Sequence, residues 1–351
     1  VSAPGDLDVC YRLLPRVSRT FALNIRILPG ALRPTVTAAY LLFRFADTIE
    51  DAPGLDPASR TELFDAFLDR LDGPGPLVLP ERPRVLVTES ASAAEVDLLD
   101  AGETVFAVFE ALPERVRDII ASHVAETARG MERINRERTD GPLLRLETWE
   151  DLDEYCYYVA GTVGIMLTRL FAEHSRHIDP ASGKRLTALG TNFGRGLQLT
   201  NILKGIGPDR RQGRVYLPAE PLARHAVTPE KLLAPESRAG VLAVVHEILP
   251  RALQDLEDAL RYTLLLPRRE PCLRLFCLWP LFTAVRTLGV VAEGHGLSDL
   301  THQPKIARSV LYREMALSAA QVFSNGGLRR RFARFRRDLF PRLPRGEVWA
   351  G

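Results

Sequence analysis

Cysteine is scarce. Only four occur among 351 residues (Cys10, Cys156, Cys272 and Cys277), and none form a CxxC pair. This excludes a disulfide scaffold and gives no basis for zinc or thiol-redox chemistry. A reducing, cytoplasmic compartment is expected. A surplus of one charge is missing as well. The chain has 46 basic residues against 44 acidic ones, so the overall balance does not point to nucleic acid. No apolar run is expected to reach the roughly 18–20 residues of a membrane span. The opening VSAPGDLDVCYRLLPR has no apolar signal core, and it begins on Val1 rather than Met, which leaves the natural start open. Strand-like alternation is rare. Only PLVLPERPRVLV, residues 76–87, reads as extended, and the surrounding stretch 73–96, rich in Pro, Gly and Ser, reads as a mobile surface loop.

What is present is helical. Apolar types make up 46% of the chain and charged types 26%, enough to bury a substantial core without metal or disulfide. Apolar residues recur at helical spacing over 35–51, 147–173, 182–207, 240–266, 273–294 and 305–324. Thr148 with Asp151 three residues on reads as a helix start. The middle of 147–173 is apolar nearly all round, as in a helix at the centre of a bundle. No repeat or linker interrupts the pattern. The expectation is a single all-α domain, residues 1–328, with an Arg-rich tail, 329–351. The tail sets eight arginines against Asp338 and Glu347 and interleaves them with Phe332, Phe335, Leu339 and Phe340. It reads either as a terminal helix packing its aromatics on the bundle or as a peripheral contact to an anionic membrane face.

Two acidic patterns carry candidate chemistry. Asp47 and Asp51 stand four apart at the end of an apolar helix, so both carboxylates leave one face. Such a pair is either a solvated helix end or a seat for Mg²⁺ shared with phosphate oxygens. Asn201, Gly205 and Asp209 repeat that spacing, with Gln198 one turn earlier. They read either as a helix end broken by Gly205, Gly207 and Pro208 or as a second set of oxygen ligands. Arg19, Arg44, Lys204 and Arg214 are cations near these acids, fit for salt bridges or for a diphosphate. The Gly190, Gly194, Gly196 series reads as close helix packing, not a nucleotide loop.

The segments VSRTFALNIRILPGALRPTVTAAYLLFRFADTIED (17–51), YCYYVAGTVGIMLTRLF (155–171), LQLTNILKGIGPDRRQGRVYLP (197–218), FCLWPLFTAVRTL (276–288) and KIAR (305–308) resemble the squalene and phytoene synthase family, most closely its squalene synthase branch. The resemblance implies an all-α helical bundle of the class I prenyl synthase type with a central cavity. It also implies that two farnesyl diphosphates join head to head through presqualene diphosphate, with Mg²⁺ and, in squalene synthases, NADPH. By position it assigns Asp47 and Asp51 to the first metal motif and Asp209 to the second, with Tyr155 acting near the departing diphosphate. Arg19, Arg44 and Arg214 become diphosphate contacts, with Lys204 beside them. Gln198, Asn201, Val163 and Phe276 line the pocket, where the Phe276 ring faces a carbocation. Lys305 and Arg308 are the cations placed for NADPH. Membrane-anchored squalene synthases end in a spanning helix, and this chain does not, so membrane contact is expected to be peripheral.

One departure matters. Where the family's second motif opens with an Arg-Asp pair, this chain has Lys204-Gly205. The expectation is that Asn201, a water above Gly205, and Asp209 hold one Mg²⁺. Three other readings stay open. The enzyme stops at presqualene diphosphate or another non-reductive product, the member is impaired at Gly205, or the chain is a membrane-associated helical scaffold.

Overall fold

A computed structural model describes residues 5–52, 54–141, 143–292 and 306–339. The helices run, in order, Asp6–Val17 (α1), Arg19–Arg26 (α2), Leu32–Asp51 (α3), Pro57–Asp72 (α4), Glu81–Ser90 (α5), Ala93–Asp100 (α6), Gly102–Glu110 (α7) and Glu114–Arg138 (α8). They continue with Trp149–Cys156 (α9), Thr162–His174 (α10), Pro180–Arg211 (α11), Ala219–Arg224 (α12), Arg238–Leu265 (α13), Pro271–Ala292 (α14), Arg308–Gln321 (α15) and Asn325–Leu339 (α16). The strands are very short: Thr139–Asp140 (β1), Leu143–Arg145 (β2) and Arg214–Val215 (β3). The fold is all-α, as the periodicity implies.

Several local expectations are corrected. The stretch read as extended and mobile forms α5 and α6. Pro80 caps α5 and Pro83 lies in its first turn, where a missing N–H removes no intrahelical bond. Ser92 and Glu95 close a full capping box on α6. The run 147–173 is not one helix. Thr148 and Asp151 do exchange capping bonds: Asp151 N–H donates to Thr148 Oγ1 at 3.2 Å, and Thr148 N–H to Asp151 Oδ2 at 3.0 Å. A π-helical turn, Tyr157–Gly161, then separates α9 from α10. The Tyr158 carbonyl there accepts from the buried Thr127 and Thr162 hydroxyls at 2.8 and 2.9 Å. Gly130 leaves the room for this turn, since a Cβ on it would stand 2.2 Å from Tyr158 Cγ. Finally, α14 is long and apolar enough to span a membrane, its 22 residues containing an 18-residue window of mean hydropathy 1.7, contrary to the expectation from sequence. It packs on α13, α15 and α16, and 61% of that window is buried, as in a core helix.

The chain groups into two compact units. One gathers Val1–Leu144 with Tyr157–Ala188, the other Arg145–Cys156 with Leu189–Gly351, so a boundary falls inside α11. In the first unit α3 is central. Its Ala38, Ala39, Leu41, Leu42, Phe45, Ala46 and Ile49 are buried against α1, α4, α7, α8 and α10. Phe45 stacks on Phe67 at 5.2 Å, and Phe67 meets Phe106 at 5.9 Å, extending the core through α4 and α7.

In the second unit α13 and α14 form the spine, with α15 and α16 against α14. Gly196 of α11 brings that helix onto α13, where an added Cβ would lie 2.9 Å from Asp255 Cβ. Beside it Arg195 grips the buried Asp255 through two bonds of 2.6 Å, and Asn192 donates to Asp258 at 2.7 Å. Residues 329–339, set apart as a tail on charge, continue α16. Phe332 is buried and Phe335 packs on Phe282 at 6.0 Å, so the aromatics turn inward rather than toward a membrane. Arg331 pairs with the buried Glu314 across α15. Phe340 and the arginines beyond it lie outside the described residues.

Candidate active site

One half-buried face of α3 carries Tyr40, Arg44, Asp47 and Asp51, spaced so that successive turns present one after another. Arg44 is the hub. Its Nη2 donates to Glu95 Oε1 at 2.5 Å and its Nη1 to Asp47 Oδ2 at 3.4 Å, while its buried Nε has no hydrogen-bond partner. Asp47, Asp51 and Glu95 all act electrostatically on it and outweigh the burial that disfavours its charge. The Tyr40 hydroxyl shares a hydrogen bond with Ser18, the residue that caps α2 by accepting from Phe21 N–H. Arg19 is exposed at the first turn of that helix.

The electrostatics of this cluster are uneven. Burial pushes the Asp47 carboxyl up to about 6; Arg44 opposes that shift and Asp51 adds to it. Burial also pushes the Glu95 carboxyl up, but its bonds from Ser92 and the Arg44 guanidinium prevail and hold it below the usual range. A divalent cation beside Asp47 would relieve its cost of ionising, so the hard oxygen pair on α3 fits Mg²⁺. Among the described residues no three His, Cys, Asp or Glu side chains converge as a ready metal cage.

In the second unit α11 carries Gln198, Asn201, Lys204, Gly205 and Asp209. The helix does not end at Gly207 as expected. It continues through Pro208 to Arg211, so Asp209 projects one turn beyond Gly205. Asn201 is exposed and donates to Gln198 Oε1 at 3.4 Å. The expected place for a water above Gly205 is taken. Asp209 Oδ2 lies 2.5 Å, and its Cγ 3.1 Å, from where a Cβ of residue 205 would stand. Glycine there gives the Asp209 carboxylate a seat against the helix. Burial lowers the Lys204 pKa, and Asp209 opposes that.

Tyr155 is buried in the same unit, its ring stacked on Tyr216 at 4.5 Å. Tyr216 is fixed by the loop around β3, where Leu146 N–H donates to the Val215 carbonyl at 3.3 Å. Arg214 begins β3 and is buried, with Nη1 3.5 Å from Gln212 Oε1. Phe276 is buried on α14, and Val163 is half-buried on α10 in the first unit. Arg308 opens α15 in an exposed position; Lys305 lies outside the described residues.

The structure therefore brings Arg44 together with Asp47 and Asp51, and Lys204 with Asp209. Sequence reading missed Tyr40 and Glu95. Tyr40 sits one turn before Arg44 on a legible helix and was within reach of spacing arguments. Glu95 is 51 residues from Arg44, and only the Ser92-x-x-Glu95 capping pattern hinted at its position.

The all-α helical fold is that of the class I isoprenoid synthases. The complex of TcSQS with the ligand BPH1237 superposes with a TM-score of 0.81 over 98% of this chain and 94% of that one, at 22% identity. Squalene synthase HpnC from Alicyclobacillus acidocaldarius gives 0.57 over 83% and 94%, also at 22% identity. At that identity both likenesses bear on the fold alone. Residues 14–309 match the squalene/phytoene synthase family, and the chain belongs to it. It is 31% identical to squalene synthase of Rattus norvegicus over 295 residues, covering 84% of this chain and 66% of the relative. With that of Schizosaccharomyces pombe it is 30% identical over 292 residues, 83% of this chain and 60% of the other. The chain thus spans somewhat less than two thirds of these two relatives' length.

Proposed function

We propose that this chain is a squalene synthase-like prenyltransferase. It joins two farnesyl diphosphates head to head through presqualene diphosphate and, with NADPH, reduces the product to squalene. The observation that carries the reading is the cluster on one face of α3, with Arg44 between Asp47 and Glu95. Family membership and the squalene synthase relatives support the substrate.

The reaction is an ionisation, so the protein's task is to stabilise a departing anion and to keep water from the cation left behind. Arg44, Arg19, Arg214 and Lys204 would neutralise diphosphate oxygens. Asp47 and Asp51 on α3, and Asn201 and Asp209 on α11, are the residues that would hold Mg²⁺. When bound, the metal supplies further charge neutralisation to the leaving group. The Tyr155 hydroxyl would donate a hydrogen bond near the departing oxygen. Apolar side chains such as Val163 and the Phe276 ring would face the cation, the ring through its electron-rich face. Arg308, and Lys305 by sequence alone, are the cations offered to NADPH phosphates.

Incubation with farnesyl diphosphate and Mg²⁺ tests this by product mass. Squalene is expected with NADPH, and presqualene diphosphate without it. Presqualene diphosphate under both conditions would leave the condensation standing and remove the reductive half. No diphosphate release from any allylic substrate would remove the enzyme.

The membrane contact of this reading moves from the phenylalanines to the cations. Arg329, Arg330, Arg334 and Arg337 are exposed on α16. Phe323 and Tyr312, each 60% exposed, lie on the adjoining turn and on α15. Cations with flanking aromatics suit an anionic lipid face. Replacing Arg330, Arg334 and Arg337 by Gln is expected to cut sedimentation with phosphatidylserine vesicles severalfold at low salt and to leave neutral vesicles unaffected. Unchanged sedimentation would remove the contact.

A further inference from the structure

Glu95 belongs to a helix that no motif assigned to the site, yet it makes the shortest contact there. Its two carboxylate oxygens do different work. Oε2 accepts from Ser92 N–H at 2.8 Å, which closes the cap of α6, and Oε1 accepts from Arg44 Nη2 at 2.5 Å. The cap fixes the carboxylate, and the carboxylate fixes the guanidinium. Arg44 leans toward Glu95 rather than Asp47, whose bond to Nη1 is 3.4 Å. The other charged or polar groups acting on Arg44 are Asp51 and Tyr40, both from α3 itself. A half-buried carboxylate held against a half-buried guanidinium has the charge and bonding geometry of a phosphate oxygen on the same nitrogen.

We propose that Glu95 is a positioning residue that stands in for the diphosphate on Arg44 while the site is unliganded. It holds one side of the guanidinium toward α6 while Nη1 keeps its longer bond to Asp47. An arriving diphosphate takes over the Nη2 donor, and the displaced negative charge of Glu95 limits how tightly that anion is held. Anion affinity is thereby traded for a site that stays open and releases its leaving group. The inference rests on Arg44 being a diphosphate contact, as proposed above.

The test uses the full chain and inorganic pyrophosphate in EDTA, followed by calorimetry. Glu95→Gln keeps the cap, because Gln also serves in a capping box, but removes the charge. Pyrophosphate is expected to bind this variant about three- to tenfold more tightly than the parent, as for loss of one half-buried competing charge. Ser92→Ala removes the hydroxyl that accepts from Glu95 N–H, which weakens the cap, and keeps both the charge and the backbone donor to Glu95; its affinity should stay within about twofold while its melting temperature falls. Equal or weaker binding by Glu95→Gln would overturn the role of Glu95 and leave the diphosphate reading of Arg44 intact. Absence of pyrophosphate binding by the parent and both variants would overturn that reading, and the inference with it.

Discussion

Asp47→Asn and Asp51→Asn are each expected to lower kcat/KM for farnesyl diphosphate by about two to four orders of magnitude, with the circular dichroism spectrum unchanged. The fold should survive because the stabilising contacts of α3 lie elsewhere. Phe45, Ala46 and Ile49 are buried against neighbouring helices, while Asp47 stays partly open. Asn is nearly isosteric and retains a carbonyl oxygen, so it removes charge and little else. Loss of charge matters here for two reasons. It removes half of a hard oxygen pair suited to Mg²⁺. In Asp47→Asn it also leaves Glu95 as the charged hydrogen-bond partner of Arg44. Mn²⁺ binding followed by electron paramagnetic resonance should weaken in parallel with turnover. Full activity in either variant would mean that the acidic end of α3 is ordinary solvated surface.

How far the sequence reached depended on whether a feature was local. Asp47 and Asp51 were legible because helical spacing alone puts them on one face. The Thr148 and Asp151 cap was legible for the same reason, since its partners lie three residues apart. α5 was misread because Pro80, Pro83 and the valines look like an extended segment. The fact that proline is harmless in a first turn becomes decisive only once the start of the helix is known. α8 is faint in the apolar periodicity because its buried stripe, with Ile120, Val124, Ala128 and Met131, is thin and lies among many charges. The π-helical turn depends on Thr127 and Gly130 of another helix accommodating Tyr158, a tertiary condition with no local signature. Glu95 and the seat at Gly205 are of the same kind. The first is a contact between distant positions, and the second is a question of how a side chain uses the space that a missing Cβ leaves.

That space makes Gly205 the most informative single position on α11. The family's carboxylate is absent there, yet an oxygen of Asp209 lies 2.5 Å from the Cβ site of residue 205. A carboxylate borne by residue 205 would carry its own oxygens about as far from that Cβ, by standard bond lengths. The glycine therefore lets Asp209 bring an oxygen back one turn, close to where the missing one would be. A methyl group at 205 must expel it. Gly205→Ala is accordingly expected to weaken Mn²⁺ binding about tenfold or more, comparable to losing a ligand's support. Gly205→Asp, which also expels Asp209 but supplies its own oxygen, should recover most of that loss. A simple packing role predicts the opposite order, because Asp is bulkier than Ala and would disturb α11 more. If Ala binds Mn²⁺ as well as the parent does, the carboxylate resting on Gly205 has no part in holding metal, and Asp209 must act from another rotamer or not at all.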